Sequence, residues 1–371
     1  MTPKIKKIIS ALCLVGAVIS ALLLPEAGYC EKLRFVWLAD SRTDNHGDPP
    51  SPEAMINTAV LKPIIAKIKT LQNPRPTFVV FGGDGAFRGH YADSDTNFYT
   101  YQTIKDLFKP LTDDGIHLYT AIGNHELYDT HAGKFILANQ TEYQQVFKDN
   151  NPGNGPAGYE RLVYSFTSTG GDAFFATLDP YYITGDIPDT NLDGNIDDTQ
   201  LNWLAGQLAQ TKATHKFLFI HTPYYYVNSD PAEPSSTPPP SFTMLWTILD
   251  NNRFDFYACG HSHLYSRKTI DRSVPPNAPP GPIWPPWKNS VVHLINGTCG
   301  AGPGTNTPFV DQSWHVLNSA GVYYFSVADI DDALLTVTSY GYDSNADTFS
   351  VVDTFTVYKG GWPGVNLLLL D

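Results

Sequence analysis

The chain has 371 residues, 42% of them hydrophobic and 13% aromatic, enough for a large buried core. It carries 24 Lys and Arg against 37 Asp and Glu, a net charge of -13, so a basic nucleic-acid-binding face is not expected. Its 4 cysteines are too few for a disulfide framework.

Lys4, Lys6 and Lys7 precede an apolar run from Ile8 to Leu24, which Pro25 closes. This pattern reads as a signal peptide over residues 1–30 and a secreted or periplasmic product, without stable membrane insertion after cleavage. The run is long for a leader, and an uncleaved N-terminal anchor is the competing reading. Residues 31–371 read as a single domain. LRFVWLAD (33–40) is a short apolar strand ending in an acid. Residues 53–72 have helical spacing, with a kink expected at Pro63. PTFVVFGGD (76–84) repeats the strand-then-acid pattern, residues 99–111 suit a helix, and IHLYTAIGNHE (116–126) runs from apolar to polar. Strands follow at 162–169 and 172–179, then a helix at 199–210. HKFLFIHTP, FDFYACGHSH and VVHLINGTCG are three more strands, and from about 321 onward the pattern is of antiparallel strands without helices between them. The proline-rich stretches 231–241 and 275–287 read as surface loops. Cys259 and Cys299 each follow a predicted strand; either they form one bridge or they are two buried thiols.

Metal-ligand residue types stand at the carboxyl ends of five of these apolar runs: Asp40, Asp84, Asn124-His125-Glu126, His221, and His261 with His263. The crevice outside such strand ends is where open α/β sheets bind ligands. A lone acid or histidine there is ordinarily a helix cap or a surface residue. Five in series, most beside a glycine that lets the backbone turn sharply, point to a metal site.

GGD (82–84), GNHE (123–126), IHTP (220–223) and GHSH (260–263), in this order after Asp40, resemble the calcineurin-like metallophosphoesterase superfamily. The resemblance implies an α/β fold, a two-sheet β-sandwich flanked by helices on both faces, with the strands from Gly321 in its second sheet. It also implies that Asp84 bridges two metal ions, one held further by Asn124, His221 and His261, the other by Asp40 and His263. Two ions about 3.5–4 Å apart clamp a phosphoryl group and acidify a bridging water into a hydroxide nucleophile. Mixed nitrogen and oxygen ligands suit Fe, Mn or Zn. His125 in this pattern faces the phosphate or leaving group, as general acid or electrostatic stabiliser.

The chain departs from the family at its first motif. The family has Asp-x-His there, whereas this chain has Asp40-Ser41-Arg42. The relatives that lack the histidine, purple acid phosphatases, place a metal-binding tyrosine where this chain has Phe87. Arginine stays protonated and binds no metal. Three explanations stand open. Arg42 binds phosphate beside a weaker second ion; or Asp44, His46 or His90 substitutes as ligand; or the site is mononuclear or degenerate.

Asp189, Asn191, Asp193, Asn195 and Asp197, with Gly194 at the turn, match the start of an EF-hand loop and predict a structural Ca, although Gln200 stands where such a loop has glutamate. Tyr224, Tyr225, Tyr226, Trp284 and Trp287 either line a substrate pocket or pack long loops. Asn139 and Asn296 head glycosylation sequons. The expected activity is metal-dependent hydrolysis of small phosphate esters, with hydroxide attacking phosphorus at one or two transition-metal ions. Monoesters are slightly favoured over diesters because Arg42 suits a second phosphate charge. The alternative is a degenerate family member acting as an exported binding or surface protein.

Overall fold

The computed structural model describes residues 32–43, 51–87, 98–129, 134–184, 187–188, 194–225, 240–273, 287–303 and 314–360. Residues 1–31, where a leader is expected, and most of the two proline-rich stretches lie outside the described residues. In chain order the strands of the first half are β1 (Leu33–Leu38), β2 (Phe78–Phe81), β3 (His117–Thr120), β4 (Tyr128–Asp129), β5 (Lys134–Phe135), β6 (Tyr164–Thr167), β7 (Ala173–Thr177), β8 (Ile183–Thr184) and β9 (Ile187–Pro188). They continue with β10 (His215–Phe219), β11 (Phe256–Cys259), β12 (Tyr265–Ile270), β13 (Val291–Asn296), β14 (His315–Leu317), β15 (Val322–Asp331), β16 (Leu334–Asp343) and β17 (Thr348–Tyr358).

Side-chain alternation in the first strands sets the layering. Phe35 and Trp37 of β1, with Phe78 and Val80 of β2, point to one face; Val36, Leu38, Val79 and Phe81 point to the other, and all are buried. A sheet buried on both faces needs a layer on each side, which is why these strands are continuously apolar. On the inner face the partner is a second sheet. The ring of Phe35 lies 5.2 Å from that of Phe78, 5.3 Å from Phe175 of β7 and 5.1 Å from Phe217 of β10. On the outer face the partner is the helix Thr58–Lys69, which buries Val60, Leu61, Ile64, Ile65 and Ile68. The second sheet repeats the arrangement: Leu218, Ile220 and Tyr257 lie under the helices Asp198–Leu208 and Pro240–Asn251.

The first sheet has the order β17-β16-β15-β1-β2-β3, and the second β14-β12-β13-β11-β10-β7-β6. This is the expected two-sheet α/β sandwich with helices on both outer faces. β1, β2 and β3 run parallel, as do β7, β10, β11 and β13.

Several expectations are corrected. The strands from Gly321 do not build the second sheet. β15 pairs antiparallel with β1, so they extend the first. Residues 53–72 divide into a 3-10 turn (Pro52–Met55) and a helix that runs through Pro63, held by its buried face. Of the two readings open for Cys259 and Cys299, the structure shows the buried free thiols. Of the two readings open for Tyr224, Tyr225 and Trp287, the structure shows packing. They are at most 6% exposed, Tyr224 stacks on Trp246, and the Trp287 indole N–H donates to the Tyr225 hydroxyl. Tyr226 and Trp284 lie outside the described residues. Asn139 and Asn296 are fully buried, which excludes glycan at either in the folded chain. Among the described residues, no helix is long and apolar enough to cross a membrane.

Candidate metal centre

Asp40 follows β1, Asp84 follows β2, Asn124 follows β3, His221 follows β10, and His261 follows β11. Parallel strands bring these ends to one crevice. Asp40, Asp84 and His261 all have left-handed backbone, with φ of 63°, 52° and 67°. Such conformations cost non-glycine residues of order 1–3 kcal/mol each and persist only where surrounding contacts impose them. Here the turns hold one another: Asp40 N–H donates to Gly83 C=O at 3.0 Å, and Ser41 N–H to Asp84 C=O at 3.0 Å. Glycine is required where backbone meets carboxylate. A Cβ on Gly260 would lie 2.2 Å from Asp40 Oδ2, and one on Gly123 would lie 2.3 Å from Asp84 Oδ1.

Ligand atoms of Asp84, His221 and His261 all lie within 4.8 Å of one another. His221 is fully buried and donates Nδ1–H to the Gly82 carbonyl at 2.8 Å. That bond turns Nε2 into the crevice, where it lies 3.3 Å from Asp84 Oδ2 yet has no aligned hydrogen-bond partner. A histidine whose far nitrogen is tied to a carbonyl while the near one faces carboxylates is the arrangement of a metal ligand. His261 Nδ1 lies 3.2 Å from Asn124 Oδ1. Donors about 2.1 Å from one ion, at tetrahedral or octahedral angles, are spaced about 3.0–3.4 Å apart. Both separations match, so these residues fit a transition-metal ion.

The charges are consistent with a cation site. Burial pulls the His221 pKa down, but the Asp84 and Asp40 carboxylates outweigh it and lift the metal-free ring to about 10. Burial would raise Asp84, yet His221 and His125 overcome it and hold the carboxyl well below its ordinary value. Burial raises Asp40 well above its ordinary value, and lowers His261 to about 3 and His125 to about 4.

The Asp40 side is built differently. Arg42 Nη2 lies 3.2 Å from His263 Nε2, and Arg42 Nε lies 4.0 Å from Asp84 Oδ2. The guanidinium also donates to the Thr43 carbonyl at 3.3 Å and sits 5.8 Å from the Phe87 ring centre. Both carboxylate oxygens of Asp40 face the His261 N–H, at 3.2 and 3.0 Å. His263 Nε2 is 3.7 Å from Asp40 Oδ1. A cation already abuts the imidazole nitrogen, so this half does not fit a second ion as the first half fits one. Asp44, His46 and His90, the candidate substitutes, lie outside the described residues.

His125 turns Nδ1–H to the Phe87 carbonyl, leaving Nε2 3.9 Å from Asp84 Oδ2. Two residues have positioning roles that the sequence did not assign: Glu126 stood there only as part of GNHE, and His293 was not singled out. Glu126 is buried, and its carboxylate accepts from the N–H groups of Asp84, Gly85 and Gly123. His293 is fully buried, and its Nε2 accepts from the N–H groups of Tyr224 and Tyr225 at 3.2 Å each, pinning the turn after His221. The signal for Glu126 was its place in GNHE; for His293 it was a polar residue inside the apolar run VVHLIN.

In the calcium-loop candidate, Asp197 caps the helix Asp198–Leu208 by accepting from Gln200 N–H, and also accepts the Tyr159 hydroxyl at 2.6 Å. Asn195 accepts from Ser241, and the Gln200 side chain spans the backbone of Asp179. Asp189, Asn191 and Asp193 lie outside the described residues.

A family model described as calcineurin-like phosphoesterase matches residues 43–265. The chain belongs to that family. The match begins just beyond Asp40-Ser41-Arg42, the motif at which the chain departs from the pattern. Among calcineurin-like phosphoesterases it is similar to the mouse (Mus musculus) tartrate-resistant acid phosphatase type 5, 27% identical over 203 residues, which cover 53% of this chain and 57% of that protein. The purple acid phosphatase PPD1 of yellow lupin (Lupinus luteus) has a similar fold, with a TM-score of 0.59 at 19% identity, covering 88% of this chain and 54% of that one. GAP50, the anchor in the inner membrane complex of Plasmodium, superposes with a TM-score of 0.53 at 18% identity and 87% coverage of both chains. PhoD gives 0.57 at 12% identity, covering 88% of this chain and 70% of that one. The chain thus spans little more than half the length of the mouse and lupin proteins.

Proposed function

We propose that this chain is an exported, metal-dependent hydrolase of phosphate esters, acting slightly better on monoesters than on diesters. The observation that carries the reading is the convergence of Asp84, His221 and His261, with the buried Nε2 of His221 turned onto the Asp84 carboxylate. Asp84, Asn124, His221 and His261 would hold a transition-metal ion such as Fe, Mn or Zn, which when bound supplies Lewis acidity and activates water.

The remaining roles belong to the protein. The Gly82 carbonyl orients His221. Glu126 fixes the turns that carry Asp84 and Asn124. Arg42 offers a guanidinium fork to phosphate oxygens, and a monoester dianion gains most from it. His125 faces the same space with Nε2, to act on the leaving group or as an electrostatic stabiliser. The lysines before the apolar run 8–24 support export. Residues 31–371 would act as one domain, with a structural Ca in the loop around 189–197.

One observation favours a second reading, a family member that binds without turnover: Arg42 sits against His263, an expected ligand. An assay separates the two. An aryl phosphate monoester and the matching diester are offered with Mn, Zn, Fe or Co. The hydrolase reading expects turnover, faster on the monoester; no turnover with any metal leaves the binding protein.

A further inference from the structure

We propose that the Arg42 guanidinium stands in the place of the second metal ion, so that the centre pairs one transition-metal ion with one fixed organic cation. The inference rests on the phosphoesterase reading and concerns how that site is built.

Three observations converge on it. First, Arg42 lies beside two of the three side chains expected around the second ion: Nη2 is at hydrogen-bond distance, 3.2 Å, from His263 Nε2, and Nε is 4.0 Å from Asp84 Oδ2. A guanidinium has only donors and stays charged, so the His263 nitrogen beside it serves as its acceptor, and the same lone pair is not offered to a metal. Second, the third side chain is held in place without an ion. Asp40 is fully buried, both its oxygens accept from the His261 N–H, and its Oδ2 lies where a Cβ on Gly260 would come within 2.2 Å and one on Gly297 within 3.2 Å. Asp40 therefore anchors the GHSH turn and is packed between two glycine backbones. Third, Arg42 is itself held in place. Its N–H donates to the Asp84 carbonyl at 3.2 Å, its Nη1 to the Thr43 carbonyl, and its guanidinium sits over Phe87, where the tyrosine-bearing relatives would supply a ligand.

The charge logic agrees. Asp40 and Asp84 place two carboxylates in a buried crevice, and a guanidinium beside Asp84 offsets one of them without a metal. For a phosphate substrate, one divalent ion and one arginine form an asymmetric clamp. A bound ion would supply Lewis acidity to water, and Arg42 would bind two phosphate oxygens as a planar fork. A guanidinium lends less acidity to water than a second ion does, so the arrangement trades activating power for a permanently filled subsite.

The test is metal stoichiometry rather than rate. Purified wild-type protein is loaded with excess Mn, with calcium present to fill any separate calcium loop. Bound Mn is then counted and its electron paramagnetic resonance recorded. One equivalent with the signal of isolated Mn is expected. Two equivalents with an exchange-coupled signal would overturn the inference while leaving the hydrolase reading intact. No bound Mn, Zn, Fe or Co and no turnover would remove the hydrolase reading and this inference together. Arg42→His restores Asp-x-His and should take up a second, coupled equivalent; a well-folded R42H that stays at one shows that Arg42 is not what excludes the ion. If R42H does not fold, Arg42→Lys, which keeps the charge and lacks the fork, is counted beside wild type, and both should hold one equivalent. A second equivalent in either one counts against the proposal.

Discussion

The carboxylate of Glu126 accepts the amide N–H of Asp84 at 2.8 Å and those of Gly85 and Gly123 at 2.7 Å each. One buried side chain thus ties the turn after β2 to the turn after β3, and with them the proposed ligands Asp84 and Asn124. Glu126→Ala leaves three buried N–H groups without acceptors. At about 1–3 kcal/mol for each buried unsatisfied group, the expected loss is about 3–6 kcal/mol after partial relaxation. Glu126→Gln keeps one acceptor oxygen and should lose less. Chemical denaturation measures both; an alanine variant within about 1 kcal/mol of wild type would mean that the three bonds do not hold the turns.

His293 makes stability depend on pH at a place away from the metal centre. Burial lowers its pKa from 6.5 to about 3 in the folded chain. Between those values the unfolded chain binds the extra proton, so the contribution is fully present above pH 6.5 and is lost as pH falls through the window. At pH 5 the loss is about 2 kcal/mol relative to pH 7. His293→Leu should be less stable at pH 7, because the Tyr224 and Tyr225 N–H groups lose their acceptor. It should also lose less between pH 7 and pH 5. Equal losses in variant and wild type would place the acid sensitivity elsewhere.

Gly260→Ala probes how closely backbone approaches Asp40. The new methyl would lie 2.2 Å from Asp40 Oδ2 and 2.7 Å from Ala39 Cβ, so the GHSH turn must shift. Displacing His261 and His263 by a fraction of an ångström to 1 Å should lower kcat on the order of 10²-fold. Gly206→Ala is the control. It lies in the helix Asp198–Leu208 with nothing within 4 Å of its Cβ position, and it should keep full activity with stability unchanged or raised by about 0.4–1 kcal/mol. Full activity in Gly260→Ala would show that the turn tolerates the shift.

The fold was legible wherever a segment was buried on both faces. LRFVWL, FVVF, HKFLF and FYAC read as apolar runs because each is sandwiched between a helix layer and the opposite sheet. The strand Tyr265–Ile270 (YSRKTI) escaped notice because it has no apolar run: Arg267 and Tyr265 are satisfied by Asp353 of β17, a partner 86 and 88 residues away. The helix Leu137–Val146 escaped for a similar reason, since it buries Asn139 and Gln140 among its contacts. The sheet joined by the C-terminal strands is not legible in the sequence because pairing partners are not encoded in strand pattern; β15 meets β1 across nearly the whole chain. At the site, motif order identified the residues that converge. The Arg42–His263 contact needed coordinates, because a sequence shows which ligand is missing but not what stands against its neighbours.

The account is tested most directly by measuring metal content and aryl phosphate turnover on the same samples of wild type, Asp84→Asn and His221→Ala. Wild type is expected to carry transition metal, to hydrolyse the ester, and to lose both to a chelator and regain both on adding Mn, Zn, Fe or Co. Each variant should lose bound metal and turnover together while remaining folded. Turnover that persists in chelator, or that survives Asp84→Asn undiminished, would contradict the account.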